Sequence, residues 1–238
     1  MSDAGPGDGL KLWVVRHGRT MLNTTDRVQG WADSWLTPAG EEVARAAGRG
    51  LREVPFQAAY SSDSGRALQT ARLLLEQNTA SGTVPLTDDP RLRELNFGTW
   101  EGRANDRMWS AVAEMNGLSY DGLADRITPR MFADSLAVLD TADPLAADNW
   151  PAEDYDTIAA RVTASMGDIV AHESGRGSRN VLVVSHGLTI CVLFDMLIPG
   201  FVMPAEGLAN VSVSVLSYTG GRFELESLND LSHVERGR

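Results

Sequence analysis

Apolar positions fall along the chain in two alternating rhythms. Residues 10–15 form a short run of apolar and β-branched side chains that stops at Arg16, which suits a buried central strand of the parallel kind. After a loop, Thr37 as N-cap, Pro38 at the first helical position and Val43, Ala47 and Leu51 on one face predict a helix. A short strand over 58–61 leads to a second helix with Ala67, Leu68, Ala71 and Leu74 at helical spacing, and Ser62 to Ser64 supply its capping candidates. Residues 103–150 break this rhythm with Gly, Pro and Asp punctuation and read as an insertion or lid. The pattern resumes with a helix over 155–172, the strand NVLVVSH, and an apolar helix from about Leu188 that Pro199 and Gly200 stop. VSVSVLSYTGGRFELESLND alternates on both sides of Gly220 and Gly221, which predicts a hairpin. Strands alternating with helices give a layered α/β fold whose ligands sit beyond the carboxyl ends of the strands.

Composition narrows the picture. A chain of 238 residues, 43% hydrophobic, can bury one large α/β core without disulfide or metal staples, so one globular unit over 1–238 is expected. Its net charge of −11 speaks against unassisted binding to nucleic acid or an anionic bilayer, so phosphate chemistry would need a local basic pocket. The single cysteine, Cys191, lies in an apolar run and reads as a buried, reduced thiol. Residues 1–9 read as a flexible leader with no targeting signal. No segment reaches the roughly 18 to 20 continuous apolar residues of a membrane span, so a soluble cytoplasmic protein is expected.

The chemistry concentrates where two strands end alike. WVVRHG and LVVSHG both finish an apolar strand with His and Gly, so His17 and His186 should emerge at the same sheet edge. A lone histidine there would be an ordinary hydrogen-bonded imidazole; a matched pair, each followed by a glycine that lets a ligand approach the backbone, points to function. Arg66 falls in the first turn of its helix, where the macrodipole disfavours a cation by about 0.3–1 kcal/mol. A salt bridge or solvation is the usual fate of such an arginine. A bound dianion, gripped by Arg16 and Arg66 together, would also hold it.

RHGRTMLN (16–23), SDSGRALQTA (62–71), LRELNFGTWEG (92–102) and SHG (185–187), in that order, resemble the histidine phosphatase superfamily in its phosphoglycerate mutase-like branch. The likeness covers about residues 12–197, and the terminal LNDLSH is also typical of the branch. It implies a three-layer α/β/α sandwich with a mainly parallel sheet and a helical insertion over the site. It also implies a covalent phosphohistidine on His17, Glu94 as general acid and base, and His186 as a donor to the phosphoryl group. Arg16, Asn23, Arg66 and Gly187 would form the phosphate cradle. Glu101 is a weaker candidate, for a supporting acid or a structural hydrogen bond. No metal or cofactor is called for, since the arginines and histidines supply the positive charge.

Other motifs carry less. GPGDG precedes the first strand instead of following it, and no Walker-type loop is present. His172 and His233 read as non-functional, and packing is the default for Trp100, Trp109 and Trp150. Ser64 stands where the family usually has an aliphatic residue and Trp35 where it has proline; both are expected to stay clear of the chemistry. Arg19 is either a further phosphate contact or exposed. Mutases of the family need extra basic residues after the acid, whereas 103–150 offers only Arg103, Arg107, Arg126 and Arg130 scattered among acids. Hydrolysis of a small phosphomonoester is therefore expected, with phosphoglycerate mutase-type transfer and a non-catalytic phospho-ligand binding module as the alternatives. A homodimer is left open.

Overall fold

The computed structural model describes residues 9–123, 126–177 and 179–238. The leader apart from Gly9 lies outside them. Six strands form one sheet in the order β3-β2-β4-β1-β5-β6, from β1 (Leu10–Arg16), β2 (Phe56–Ser61), β3 (Leu86–Asp88), β4 (Arg179–Ser185), β5 (Val213–Thr219) and β6 (Arg222–Asp230). β5 alone runs against the rest, being antiparallel to both β1 and β6. The glycines between β5 and β6 take the positive φ of a tight hairpin turn, 59° at Gly220 and 84° at Gly221.

Successive strand residues point to opposite faces, and both faces are covered. Leu12 and Val14 of β1 join Val181 and Val183 of β4 in one core. Val15, Leu182 and Val184 face the other. On the second face lie α2 (Pro38–Gly50), α3 (Gly65–Gln77) and α9 (Ser232–Arg236), after the short α1 (Met21–Thr24). On the first lie α7 (Tyr155–Glu173) and α8 (Gly187–Leu197). Residues 103–150 supply α4 (Asn105–Met115), α5 (Tyr120–Leu123) and α6 (Pro129–Thr141), whose Met108, Val112, Phe132 and Leu136 enter the same core as α7 and α8. Among the described residues no helix is long and apolar enough to cross a membrane.

Two helix starts position the site. Thr37 caps α2 as expected, accepting from the Gly40 amide. Ser64 occupies the N-cap of α3, but its hydroxyl does not cap. The Asp33 carboxylate, brought from far along the chain, takes the Gly65 amide at 2.5 Å.

Candidate active site

β1 and β4 pair in parallel with Arg16 opposite Ser185, so the next residue of each strand leaves the sheet at one point. The His17 amide donates to the Ser185 carbonyl (2.9 Å), and the two imidazole rings lie 5.2 Å apart, both buried. Their hydrogen bonds assign opposite tautomers. His17 Nδ1 faces the Gly18 carbonyl at 2.8 Å, which only accepts, so Nδ1 carries the proton and Nε2 the lone pair. His186 Nδ1 receives an Arg66 N–H at 3.0 Å, so its proton sits on Nε2, 3.3 Å from the Ser64 hydroxyl. Ser64 thus touches the second histidine, against the expectation that it stands clear of the chemistry. The cause is α3's first turn, which aims this hydroxyl at His186 instead of at its own backbone.

Burial first, and then the Arg66 charge, hold both imidazoles well below their ordinary value of 6.5. Arg16 adds to the effect on both, and each ring is therefore neutral when folded. Below 6.5 the unfolded chain binds protons that the folded chain refuses. The contribution of these rings is thus complete above that pH and is lost as the pH falls toward the depressed folded values. The loss is at most about 1.4 kcal/mol per pH unit for each ring. Urea denaturation should therefore show a lower midpoint at about pH 5.5 than at about pH 7.5; equal midpoints would contradict the assignment of two buried neutral imidazoles.

The arginines are held by the protein itself, and each keeps its Nε–H free. Arg66 Nη1 donates to Asp33 Oδ1 (2.8 Å) and the Ala32 carbonyl (3.2 Å), and Nη2 to the Gly30 carbonyl (2.7 Å) and His186. Asp33 thus offsets the unfavourable position of Arg66 at a helix start, and the free fork expected for a dianion is already occupied. What remains is the Arg66 Nε–H, buried without a partner, and the same holds for Arg16 Nε–H. Arg16 Nη1 is anchored on the Leu208 carbonyl. A β-carbon at Gly187 would come within 3.3 Å of Arg16 Nε, so glycine leaves this N–H room. Each orphaned buried donor costs about 1–3 kcal/mol unless a ligand takes it.

Glu94 lies against the first turn of α8. Its Oε1 accepts from the Leu95 amide (3.1 Å), the Thr189 amide (2.9 Å) and the Thr189 hydroxyl (2.9 Å), whereas Oε2 accepts only from the Leu188 amide (3.1 Å). Oε2 therefore keeps the spare lone pair. The backbone at Glu94 is fixed by Arg161, whose Nη groups reach the carbonyls of Arg91, Arg93 and Glu94 at 2.7–2.9 Å while Glu153 holds the guanidinium from the other side. Glu101 is structural. It accepts the amides of Gly30, Trp31, Ala32 and Phe97, and so shapes the loop whose carbonyls grip Arg66. Gly30 is obligatory there, since a β-carbon would lie 2.2 Å from the Leu95 carbonyl oxygen.

Asn23 forms a capping box with Thr20 through its Oδ1, which leaves its NH₂ to donate. Asn210 ties the His17 carbonyl at 3.0 Å. Asp33, Arg161, Glu153, Thr189 and Asn210 all escape the sequence reading, because only the fold brings them to their partners. All seven predicted site residues fall in one constellation. Arg16, His17, Asn23, Glu94 and Gly187 line a cavity of about 480 Å³, while His186 and Arg66 are buried beside His17.

Other expectations fare unevenly, and packing fails for Trp150. Trp109 lines the cavity, Trp100 packs on the core beneath Arg103, and Trp150 and Trp35 are exposed. Arg19 is exposed, His172 lies on the surface, and His233 packs against Trp13 on the α2 face. Cys191 is free and buried, its thiol pushed up to about 12 by burial.

Comparison with known proteins agrees with this geometry. The chain is 40% identical to phosphoglycerate mutase from Bacillus anthracis str. Sterne, with a TM-score of 0.86 and 97% of each chain covered. A mycobacterial glucosyl-3-phosphoglycerate phosphatase, solved with VO3, is 27% identical with a TM-score of 0.66, over 93% of this chain and 98% of that one. Among curated sequences, "Probable phosphoglycerate mutase GpmB" of Enterobacter sp. (strain 638) is 29% identical over 233 residues, 95% of each chain. The six-stranded sheet flanked by helices is that of the phosphoglycerate mutase-like fold, and the model of the histidine phosphatase superfamily (branch 1) matches residues 12–114 and 105–231. The chain belongs to that superfamily.

Proposed function

We propose that this protein hydrolyses phosphomonoesters through a phosphohistidine on His17. The observation that carries the reading is the pair of buried, unpartnered N–H groups of Arg16 and Arg66 beside a neutral imidazole whose Nε2 holds a lone pair. An anion satisfies the donors, and the lone pair attacks its phosphorus. His186 Nε2–H and the Asn23 amide are further donors for the phosphoryl oxygens. As the phosphorus–nitrogen bond forms and the bond to the alcohol oxygen breaks, the proton on Glu94 Oε2 passes to the departing alkoxide. Water then attacks the phosphorus, Glu94 takes its proton, and the phosphorus–nitrogen bond breaks to release inorganic phosphate.

The chief rival within the family is mutase chemistry, and the cavity's charge argues against it. Arg16 and Arg27 are the arginines on its wall, whereas Arg103 and Arg130 pair with Asp143 and Asp156 elsewhere. A bisphosphorylated species would lack a second cluster of cations. Steady-state assays with phosphoglycerate and a generic aryl phosphate test the reading. Continuous release of inorganic phosphate is expected. Interconversion of phosphoglycerates with little free phosphate would replace hydrolysis by mutase activity, and tight binding without turnover would leave a binding module.

A further inference from the structure

Resting on that reading, the cavity beyond the phosphate cradle specifies the alcohol. We infer that the organic part of the substrate is an uncharged, ring-bearing group held by apolar contact. At about 480 Å³ the cavity lies within the range of roughly 300–1,000 Å³ typical of small-molecule sites, so it holds far more than a phosphate. Its far wall is made by Met108, Trp109, Leu123, Ile127, Phe132 and Met203. Trp109 and Phe132 form one aromatic surface, their ring centroids 4.5 Å apart.

Most of the polar side chains on that wall are already engaged or lie at its exposed rim, as the Tyr120 hydroxyl does. Gln29 accepts from the Thr20 hydroxyl at 2.6 Å and donates to Ser34 Oγ at 3.3 Å. The Asn105 amide donates to Asp26 at 2.9 Å. Arg27 and Glu206 are both exposed and carry opposite charges, so the rim does not concentrate cations for a second anionic group. A carboxylate or a polyhydroxyl chain seated against Met108, Leu123, Ile127 and Phe132 would give up its water for few hydrogen bonds. A ring would bury its faces against Trp109 and gain from every contact.

The test compares esters whose leaving alcohols are similarly basic, so that binding alone separates them. Phenylethyl phosphate should exceed glycerol phosphate and phosphoglycerate in kcat/KM by roughly 30-fold, about 2 kcal/mol at 1.4 kcal/mol per tenfold. Trp109→Ala should shrink that ratio about tenfold, and Met203→Lys should shift preference toward phosphoglycerate. Calorimetry with phenylpropylphosphonate and hydroxypropylphosphonate, which are not hydrolysed, gives a readout free of turnover. Tighter binding of the phenyl compound supports the inference even in a protein that hydrolyses nothing, which would sink only the proposed reaction. Turnover with equal or reversed preference, or equal binding of the two phosphonates, overturns the inference and leaves the reaction standing.

Discussion

His17→Ala is expected to lower kcat/KM for every phosphomonoester by roughly 10⁴-fold or more, the scale on which loss of a covalent nucleophile is felt. Its imidazole combines a free nitrogen lone pair with a position on the cavity wall beside both arginines. His186 cannot replace it, because its Nδ1 lone pair is taken by Arg66 and its Nε2 carries the proton. The fold should survive. Removing the ring leaves the Gly18 carbonyl without its Nδ1–H partner, a loss of about 1–3 kcal/mol, while the His17 amide still donates to Ser185. The variant should also still bind inorganic phosphate, since both orphaned arginine N–H groups remain. Normal turnover by folded His17→Ala would remove the covalent mechanism.

Glu94→Gln is expected to slow phosphoryl transfer from alkyl esters by about 10²- to 10⁴-fold in kcat/KM, and from nitrophenyl esters much less. The asymmetry follows from what the proton does. An alkoxide is too basic to depart unprotonated, whereas nitrophenolate leaves without help. The parameter kcat/KM reports the steps up to departure of the alcohol, so slower hydrolysis of the phosphoenzyme does not mask the difference. The site's geometry also fixes how the glutamine sits. Its carbonyl must take the place of Oε1, which accepts three hydrogen bonds, and its NH₂ then meets the Leu188 N–H as donor against donor. That conflict acts equally on all esters, so only the difference between leaving groups measures proton donation. Equal losses for the two would remove Glu94 from the role of acid.

Much of the site was legible along the chain because it is built from strand ends. Two apolar strands that finish in His-Gly and pair in parallel must deliver both imidazoles to one edge, and the side-by-side register of Arg16 with Ser185 is the physical content of that pattern. The helices followed for similar local reasons, as with Thr37 and Pro38 at the start of α2. What stayed hidden depends on contacts between distant segments. Neither the hold of Asp33 on Arg66 nor that of Arg161 on the backbone at Glu94 has a signature in spacing, because each needs the finished layers to bring its partners together. The tautomer of His186 was out of reach for the same reason, since an arginine more than a hundred positions away sets it. Ser64 was misjudged because a serine ahead of a helix is usually its cap, and here Asp33 takes that task and frees the hydroxyl for His186. For Glu101 the sequence leaves a supporting acid and a structural hydrogen bond open, and the four backbone amides it accepts decide for the second.

Those hidden contacts share one consequence. The loop fixed by Glu101 grips Arg66, Arg66 sets the His186 proton, and burial together with the charges of both arginines keeps His17 neutral. Preorganisation of this kind is what lets a neutral imidazole act as a nucleophile near pH 7 without an adjacent base.

The most direct measurement is the position of the phosphoryl group in enzyme mixed briefly with substrate, quenched at alkaline pH, cleaved into peptides and sequenced by mass spectrometry. A single acid-labile, base-stable phosphoryl group on His17, absent from His17→Ala, is the predicted result. A phosphoryl group on His186 or on a carboxylate, or turnover with no phosphorylated peptide at any time after mixing, would contradict it.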